Sequence, residues 1–215
     1  MLTPYHLNRY TRQNGDRIYC LPGSDTGDLL PGHVPSVTTV LRADTSYIRG
    51  DHSDAATRGN RVHAPLSRYL AGQSPDPSPS IMPYWLNLER WLARTRPTAL
   101  LTESTVWTQD YAGTVDTVLS TERGIVVLDL KTKGTHGRIL AKGSATKYGP
   151  HLSGYAHAFT SVYGITVSEV GVLIVYPDDR GCDEWWYNPD VGMERFEAAL
   201  DTWWERNGGE YADAG

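Results

Sequence analysis

Three strand-like segments that follow one another with only short turns between them limit the folds open to this chain more than any other feature. These segments are ALLTESTVW, AGTVDTVLS and IVVLDL, separated by the turn sequences QDYAG and STERG. The pattern HLSGYAHAFTSVYG downstream is typical of a helix, and SEVGVLIVYP and DEWWYN are typical of two further strands. Three strands, a helix and another strand predict an α/β fold with a central mixed β-sheet flanked by helices.

Four other segments have helical patterns. Ser36 is a candidate N-cap for a short helix in PSVTTVLRAD. The segment AATRGNRVHAPLSRYLAG is also helical in pattern, although Pro65 removes a helical hydrogen bond and should kink or restart the helix. Apolar residues at helical spacing predict a helix over residues 84–96, which the following proline ends. The last segment, VGMERFEAALDTWWER, is amphipathic and is expected to end at the Asn207–Gly208 pair.

The remaining sequence indicates loops and one compact unit. The first thirty or so residues are polar and rich in Gly and Pro, which predicts loops or short strands, and GQSPDPSPSIMP has the composition of a linker. The chain has 215 residues, 40% of them apolar, so we expect residues 1–215 to bury one core as a single domain.

Several classes of protein are excluded by what the sequence lacks. No apolar run is long enough to span a bilayer and the N-terminal residues lack the apolar stretch of a signal peptide, so we expect a soluble intracellular protein without a membrane partner. Cys20 and Cys182 cannot make a disulfide framework, a four-cysteine zinc site or a cysteine-ligated iron–sulfur cluster. The phosphate-loop, H-E-x-x-H and G-x-S-x-G motifs are also absent.

The charges of the chain are unevenly distributed. The formal net charge is -5, but eleven acidic and three basic residues from Asp178 onward give the tail -8 and leave +3 for the rest. All four lysines occur in the acid-free segment LKTKGTHGRILAKGSATK, which also contains an arginine. This segment is either a solvated basic loop or a phosphate-binding surface. Its candidate DNA-binding residues are Lys133, Arg138, Lys142 and Lys147.

Two aspartates and a lysine occupy the predicted β-hairpin formed by the second and third strands. Asp129 and Lys131 are two residues apart and therefore share a face of their strand, and Asp116 on the partner strand can lie near Asp129. Two carboxylates brought together repel each other unless they share a proton or a cation, and hard oxygen ligands select Mg²⁺ or Mn²⁺. Lys131 could neutralise transition-state charge or activate water in phosphodiester chemistry, whereas an ordinary ion pair at a strand end is the alternative.

The sequence G-T-V-D, followed by an apolar strand that ends in D-L-K, resembles the PD-(D/E)XK nuclease superfamily. The segment ATRGNRVHAPLSRYLAG is similar to the RecB-type branch, in which a helix brings a histidine to the metal site after an Arg-Gly pair. PSVTTVL and TESTVWTQDYAGTVD are similar to phage-encoded RecB-like exonucleases and to the mitochondrial genome maintenance exonuclease. The resemblance covers roughly residues 35–176. It implies a restriction-endonuclease-like core there, an N-terminal extension over 1–34, and a strand and acidic helix over 177–215.

The resemblance also implies roles for individual residues. The implied metal ligands are His63, Asp116, Asp129 and the carbonyl of Leu130, with Lys131 as catalytic base or charge stabiliser. Glu103 matches an acid of the phage enzymes and is expected to reach the metal through water. The segment HLSGY keeps the Tyr155 of the branch's Gln-x-x-x-Tyr motif but has His151 in place of glutamine, and both are candidate DNA-binding residues. Tyr155 is also a candidate catalytic residue. Without the resemblance, His63 would be assigned to a helix surface or the core.

The sequence therefore predicts a deoxyribonuclease that depends on Mg²⁺ or Mn²⁺, most simply an exonuclease on single strands or DNA ends in phage-type recombination, repair or replication. The alternative is a catalytically silent DNA-binding subunit of the same fold. The expected partners are DNA with a free end and a single-strand annealing or recombination protein. The expected location is the cytoplasm, that of a bacterial host if the chain is phage-encoded.

Overall fold

The computed structural model describes residues 1–22, 32–44, 53–134 and 146–212. The strands within these ranges are β1 Arg9–Thr11, β2 Arg17–Cys20, β3 His33–Pro35, β4 Thr98–Trp107, β5 Ala112–Thr121, β6 Gly124–Thr132, β7 Glu169–Val175 and β8 Cys182–Tyr187. The α-helices are α1 Val37–Ala43, α2 Ser53–Leu70, α3 Met82–Thr95, α4 Gly149–Tyr163 and α5 Met193–Ala212. None of the helices in the described ranges is long and apolar enough to cross a membrane.

The central sheet has five strands in the order β4-β5-β6-β7-β8. The β4–β5, β5–β6 and β7–β8 pairs are antiparallel, whereas β6 and β7 are parallel. The parallel pair requires a crossover connection, and α4 lies within it. The predicted α/β class with a mixed central sheet flanked by helices is therefore confirmed.

Helices cover both faces of this sheet. On one face α1, α4 and α5 pack over a core that includes Val115, Val127 and Phe159. On the other face α2 and α3 pack over a second core that includes Leu88, Leu128 and Leu173. Because both faces are buried, β6 and β7 read as nearly continuous apolar runs, which is why the charged end of β6 stands out in the sequence.

Short-range signals set several element boundaries as the sequence predicts. The Ser36 hydroxyl accepts a hydrogen bond from the Thr39 backbone N–H and caps α1. Arg96 adopts a left-handed conformation at the C-cap of α3, immediately before a proline. Pro150 lies in the first turn of α4, where its missing N–H has no helical partner to lose.

The expected end of α5 is wrong, and of the two expected effects of Pro65, a kink or a restart of the helix, the restart is contradicted. Pro65 does not restart α2, which continues from Ser53 to Leu70, because burial of Val62 and Leu66 on either side of the proline holds both halves against the sheet. Likewise α5 does not end at the Asn207–Gly208 pair but runs to Ala212. A glycine near a helix end is a frequent stop but does not by itself break the hydrogen-bond ladder.

The three N-terminal strands form a second sheet, the N-terminal sheet, in the order β1-β2-β3. The prediction of short strands in this region is thus confirmed for the described residues. The chain before β1 runs along β4, where the Leu2 N–H donates to the Leu100 carbonyl and the Thr105 N–H donates to the Tyr5 carbonyl. These bonds satisfy backbone groups on the edge of β4 that would otherwise be open.

Candidate metal centre

The candidate site lies where β5 and β6 separate. Their ladder ends at the Thr117–Leu128 pair. On either side, pairing continues beyond this level, to Trp107–Ala112 between β4 and β5 and to Thr132–Val175 between β6 and β7. The sheet therefore opens between its second and third strands, and the residues next to the opening are Asp116 and those of the D-L-K sequence.

Side chains take the place of the missing ladder bonds. The Leu130 N–H donates to Asp116 Oδ2 at 3.3 Å, and the Leu130 carbonyl lies 3.1 Å from His63 Nε2. Buried backbone groups need partners, so a strand that loses its neighbour must find them in side chains or solvent. Asp116 from β5 and His63 from α2 are the partners here.

The strands β4 and β5 also lose their regular alternation at this level. Leu101 and Val106 are five residues apart yet belong to the same core cluster, and Val115 and Val118 are three apart in that cluster. A regular strand places residues an even number apart on one face, so each strand contains an irregularity between these positions.

Glu103 lies at this irregularity. It faces Asp116 across the strand pair, between the Thr102–Thr117 and Ser104–Val115 pairs. Its φ of 45° is in the left-handed region, which is unusual for a residue with a side chain. The distortion turns the carboxylate out of the core layers and toward the opening.

Three side chains converge at the opening and make a group that could hold a metal ion. His63 Nδ1 lies 3.5 Å from Glu103 Oε1 and 3.7 Å from Asp116 Oδ2, and one ligand atom from each residue lies within 4.8 Å of the others. The side chains are 20%, 48% and 24% exposed for His63, Glu103 and Asp116, so solvent can reach the group. Two carboxylates and an imidazole are ligands that could hold a divalent metal ion.

The electrostatics of this group favour a cation. Burial lowers the pKa of His63, but the hydrogen bond to Glu103 and the charge of Asp116 outweigh it and raise the pKa to about 8. Burial and then the charge of Asp129 raise the pKa of Asp116 to about 6, against the opposing effect of His63. Carboxylates that resist ionisation next to one another gain stability when a cation replaces the shared proton.

Asp129 and Lys131 form a separate ion pair beside this group. Lys131 Nζ lies 2.8 Å from Asp129 Oδ1 and 2.6 Å from Oδ2, and the Asp129 side chain is only 7% exposed. Burial lowers the pKa of Lys131, but the charges of Asp129 and Asp116 prevail and raise it above its ordinary value. The ammonium therefore remains charged at neutral pH, which favours charge stabilisation over proton abstraction.

The four predicted metal ligands thus fall into two arrangements. The side chains of His63 and Asp116 lie close together, and Glu103 lies beside them. Asp129 is outside the three-residue group of described side chains and contacts Lys131 instead. The predicted Leu130 carbonyl is engaged by the Nε2 atom of His63.

The start of α4 brings His151 and Tyr155 to the same region. Their ring centroids are 4.6 Å apart, and the Tyr155 ring packs against Gly113 of β5. Among the described residues His151 Nε2 is buried without a hydrogen-bond partner. Burial lowers the pKa of His151 to about 4, an effect that the charge of Asp129 opposes. The imidazole is therefore neutral at physiological pH.

Part of the predicted lysine surface lies next to Lys131. Arg138 and Lys142 lie outside the described residues. Lys133 follows β6, and its pKa is lowered by burial, then by the charges of Lys147 and Arg58. Lys147 and Lys131 both approach the Tyr148 ring, with Nζ 5.0 Å and 5.8 Å from its centroid.

Arg58 is a candidate site residue that the sequence interpretation missed. Its Nε donates to Thr132 Oγ1 at 3.1 Å, which fixes the guanidinium at the end of β6. Together with Lys133 and Lys147 it makes a cation cluster, and none of the three has a carboxylate in ion-pair contact among the residues described. Arg58 lies five residues before His63 on α2. It could have been found from the sequence by looking for basic residues in the helical segment that contains His63.

No protein-family model and no curated protein matches the chain. Among solved structures, the chain is similar to SSO0001, with 16% sequence identity, a TM-score of 0.33, and coverage of 76% of this chain and 82% of that chain. It is also similar to an alkaline exonuclease from Laribacter hongkongensis, LHK-Exo, with 12% identity, a TM-score of 0.37, and coverage of 84% and 94%. Both TM-scores are below 0.5, so the residues of the site have to carry any functional conclusion.

Proposed function

We propose that this protein is a divalent-metal-dependent nuclease of the PD-(D/E)XK type and RecB-like branch, acting on DNA as an exonuclease. The observation that carries the proposal is the convergence of His63, Glu103 and Asp116 at the opening between β5 and β6, directly beside the Asp129–Lys131 pair. Residues 1–215 would act as one nuclease domain, since the N-terminal segment bonds to β4.

The three-residue group would hold Mg²⁺ or Mn²⁺ through His63 Nδ1 and the carboxylates of Glu103 and Asp116. A bound divalent cation supplies Lewis-acid stabilisation of negative charge on a phosphodiester. Asp129 is the fourth proposed ligand, and it would exchange part of its contact with Lys131 for the cation. The Leu130 carbonyl, now bonded to His63, is the fifth.

The other residues would bind and orient the substrate. Lys131 places a permanent positive charge beside the metal ligands, where it can stabilise the extra negative charge of a transition state. Tyr155 and His151 would offer an aromatic pair beside β5, and Lys133 and Lys147 would bind the phosphate backbone beyond β6. The site combines carboxylate ligands for a metal, the fixed positive charge of Lys131, and the basic residues beyond β6. This combination suits phosphodiester hydrolysis better than it suits DNA binding without cleavage.

Digestion of end-labelled DNA tests the proposed function. The substrates are linear single strands, linear duplexes and covalently closed single-stranded circles, each with Mg²⁺, Mn²⁺ or chelator. We expect metal-dependent release of labelled nucleotides from linear DNA, no cutting of circles, and loss of activity in Asp116→Ala. Rapid cutting of circles would contradict exonuclease action, whereas DNA binding without cleavage under any metal would identify the silent binding subunit instead.

A further inference from the structure

The N-terminal sheet is attached to the strand that carries Asp116. Ser36, at the end of β3, bridges to Ala112 at the start of β5, and Tyr19 Oη lies 2.9 Å from Thr114 Oγ1. Thr114 is two residues before Asp116. The sheet that the sequence places in an extension before the nuclease core therefore borders the metal centre.

One face of the N-terminal sheet carries two arginines and a tyrosine. Arg9 pairs with Tyr19, and Thr11 pairs with Arg17, in the β1–β2 register. Directly opposed residues share a face, as do residues two apart, so Arg9, Arg17 and Tyr19 all lie on the same side. The Arg9 guanidinium carbon is 5.9 Å from the Tyr19 ring centroid.

The backbone of Arg17 is fixed by hydrogen bonds, whereas its side chain is not. Its N–H donates to Thr39 Oγ1 at 2.9 Å and its carbonyl accepts from the Ser36 N–H at 2.8 Å, which ties it to the start of α1. Arg17 as a whole residue is half-buried, and its guanidinium has neither an ion pair nor a hydrogen bond to any described residue. The adjacent Asp16 accepts a hydrogen bond from Asn14. A guanidinium without a partner in the described part of the chain can bind an anionic ligand without first breaking an ion pair.

The face of the N-terminal sheet that carries Arg17 and the aromatic pair of α4 both contact the part of β5 that precedes Asp116. Tyr19, which shares that face with Arg17, lies against Thr114, and the Tyr155 ring packs against Gly113. His151 contributes a buried Nε2 atom that lacks a partner among the described residues. Two polar groups without partners in the described part of the chain, the Arg17 guanidinium and His151 Nε2, thus belong to two elements that both contact β5 next to Asp116.

Beyond β6, at the end of the D-L-K sequence, lies the cation cluster of Arg58, Lys133 and Lys147. The metal centre therefore has cationic groups on two sides, one from the N-terminal sheet and one from α2 and the end of β6. A nucleic-acid strand carries a negative charge at every nucleotide, so it can contact both groups while it crosses the metal centre.

We propose that the N-terminal sheet forms one wall of the nucleic-acid interface and that Arg17 binds a backbone phosphate of the substrate strand. The identity of the ligand as nucleic acid depends on the proposed function. The contact between the N-terminal sheet and the strand of Asp116 does not depend on it.

Salt-dependent binding of the full chain tests this proposal. Fluorescently labelled single-stranded DNA is titrated with protein in chelator, where cleavage does not interfere, over a series of salt concentrations. Arg17→Gln should raise Kd roughly tenfold at low salt, the effect of losing one charge-assisted hydrogen-bond partner. It should also flatten the slope of log Kd against log salt by about 0.7, the value for one phosphate on a single strand.

Two control variants separate a phosphate contact from general charge and folding effects. Arg123→Gln makes the same charge change in the turn at the far end of the β5–β6 hairpin and should leave the slope unchanged. Arg17→Lys retains the charge and should restore most of the slope. Circular dichroism melting of each variant verifies folding. Equal slopes for folded Arg17→Gln and Arg123→Gln would overturn the proposal, as would absence of DNA binding by the unmodified protein.

The cleavage assay distinguishes failure of this inference from failure of the proposed function. If the unmodified protein cleaves DNA but Arg17→Gln binds and cleaves normally, the proposed contact between the N-terminal sheet and DNA is wrong, whereas the proposed nuclease activity is supported. If DNA binding depends on Arg17 but no metal supports cleavage, the proposed contact between the N-terminal sheet and DNA is supported, whereas the proposed nuclease activity is wrong.

Discussion

The backbone of Glu103 is strained, and the strained conformation places its carboxylate next to His63. A non-glycine residue in the left-handed region costs on the order of 1–3 kcal/mol. In return, the distorted strand delivers the Glu103 carboxylate to within 3.5 Å of His63 Nδ1. Strain of this kind persists where surrounding packing holds it, and it is frequent at functional sites.

Replacing Glu103 should therefore separate stability from metal binding. Glu103→Gly relieves the strain that Glu103→Ala retains, so we expect the glycine variant to be more stable by about 1 kcal/mol in urea unfolding. Both variants should lose affinity for Mn²⁺ in calorimetry. Thr98 at the start of β4 has an ordinary φ, so Thr98→Gly should instead be less stable than Thr98→Ala. An alanine variant at position 103 that is the more stable of the two would contradict the strain.

The ion pair between Asp129 and Lys131 leads to a prediction about the stability and the activity of a Lys131 variant. Lys131→Met leaves a buried carboxylate without its cation, so we expect a loss of about 1–3 kcal/mol in unfolding free energy, limited by the 35% exposure of the lysine side chain. Cleavage should fall at least about a hundredfold, as for removal of one transition-state charge stabiliser.

Adding Asp129→Asn to Lys131→Met removes the uncompensated charge and should recover most of the lost stability without recovering cleavage. Urea unfolding in chelator and digestion of linear DNA measure the two quantities. A double variant as unstable as the single one would mean that Lys131 stabilises through packing against Tyr148 rather than through the ion pair.

Among the elements, the contact between β5 and α4 positions the aromatic pair. Gly113 leaves room for the Tyr155 ring, and a Cβ added there would overlap the ring and approach Val37 of α1. The close approach of helix to strand therefore depends on the absence of a side chain at this position. Because His151 packs on Tyr155, displacement of one ring moves the other.

Gly113→Ala should destabilise the protein by about 1–3 kcal/mol, since it overpacks a buried contact. It should also reduce DNA cleavage, because Tyr155 and His151 cannot keep their positions. Gly59→Ala on α2 is the matched control: a methyl group added there meets no described atom within 4 Å, so we expect a gain of up to about 1 kcal/mol. Thermal melting and the digestion assay measure both variants, and equal stabilities would contradict the proposed close packing.

Over the whole molecule, the buried neutral imidazole of His151 should influence acid stability. The folded protein binds a proton at His151 only near pH 4, whereas an unfolded chain binds it near the ordinary histidine value of 6.5. The unfolded state therefore holds more protons between these values, and stability is lost as the pH falls from 6.5 to 4. This single group can account for at most about 3 kcal/mol of that loss.

His151→Gln should flatten the decline in unfolding free energy between pH 6.5 and 4.5, because glutamine does not titrate. Urea unfolding at a series of pH values measures the effect. His6→Gln, on the exposed N-terminal segment, should leave the decline unchanged. A His151→Gln profile parallel to that of the unmodified protein would show that water or protein groups already solvate the charged imidazole.

Sequence alone determined those features that depend on near neighbours in the chain. The apolar, β-branched character of β4 to β6 and their turn residues are local, and so is the Ser36 cap, so the order of elements and the mixed sheet could be predicted. The D-x-K spacing is also local, which is why Asp129 and Lys131 could be placed on one face. The lysine-rich segment could be recognised from its composition, but its conformation could not.

Only the tertiary structure decided how these residues are grouped. Where β5 and β6 diverge, the Leu130 backbone is left to Asp116 and to His63, which is 67 residues away in the chain. No local sequence pattern marks where that divergence begins. Long-range packing also brings Arg58 to Thr132 and the N-terminal sheet to β5, and no sequence pattern around either arginine indicates these contacts. Local periodicity specifies elements, whereas the contacts that define a site join residues too distant in the chain for any spacing rule to relate.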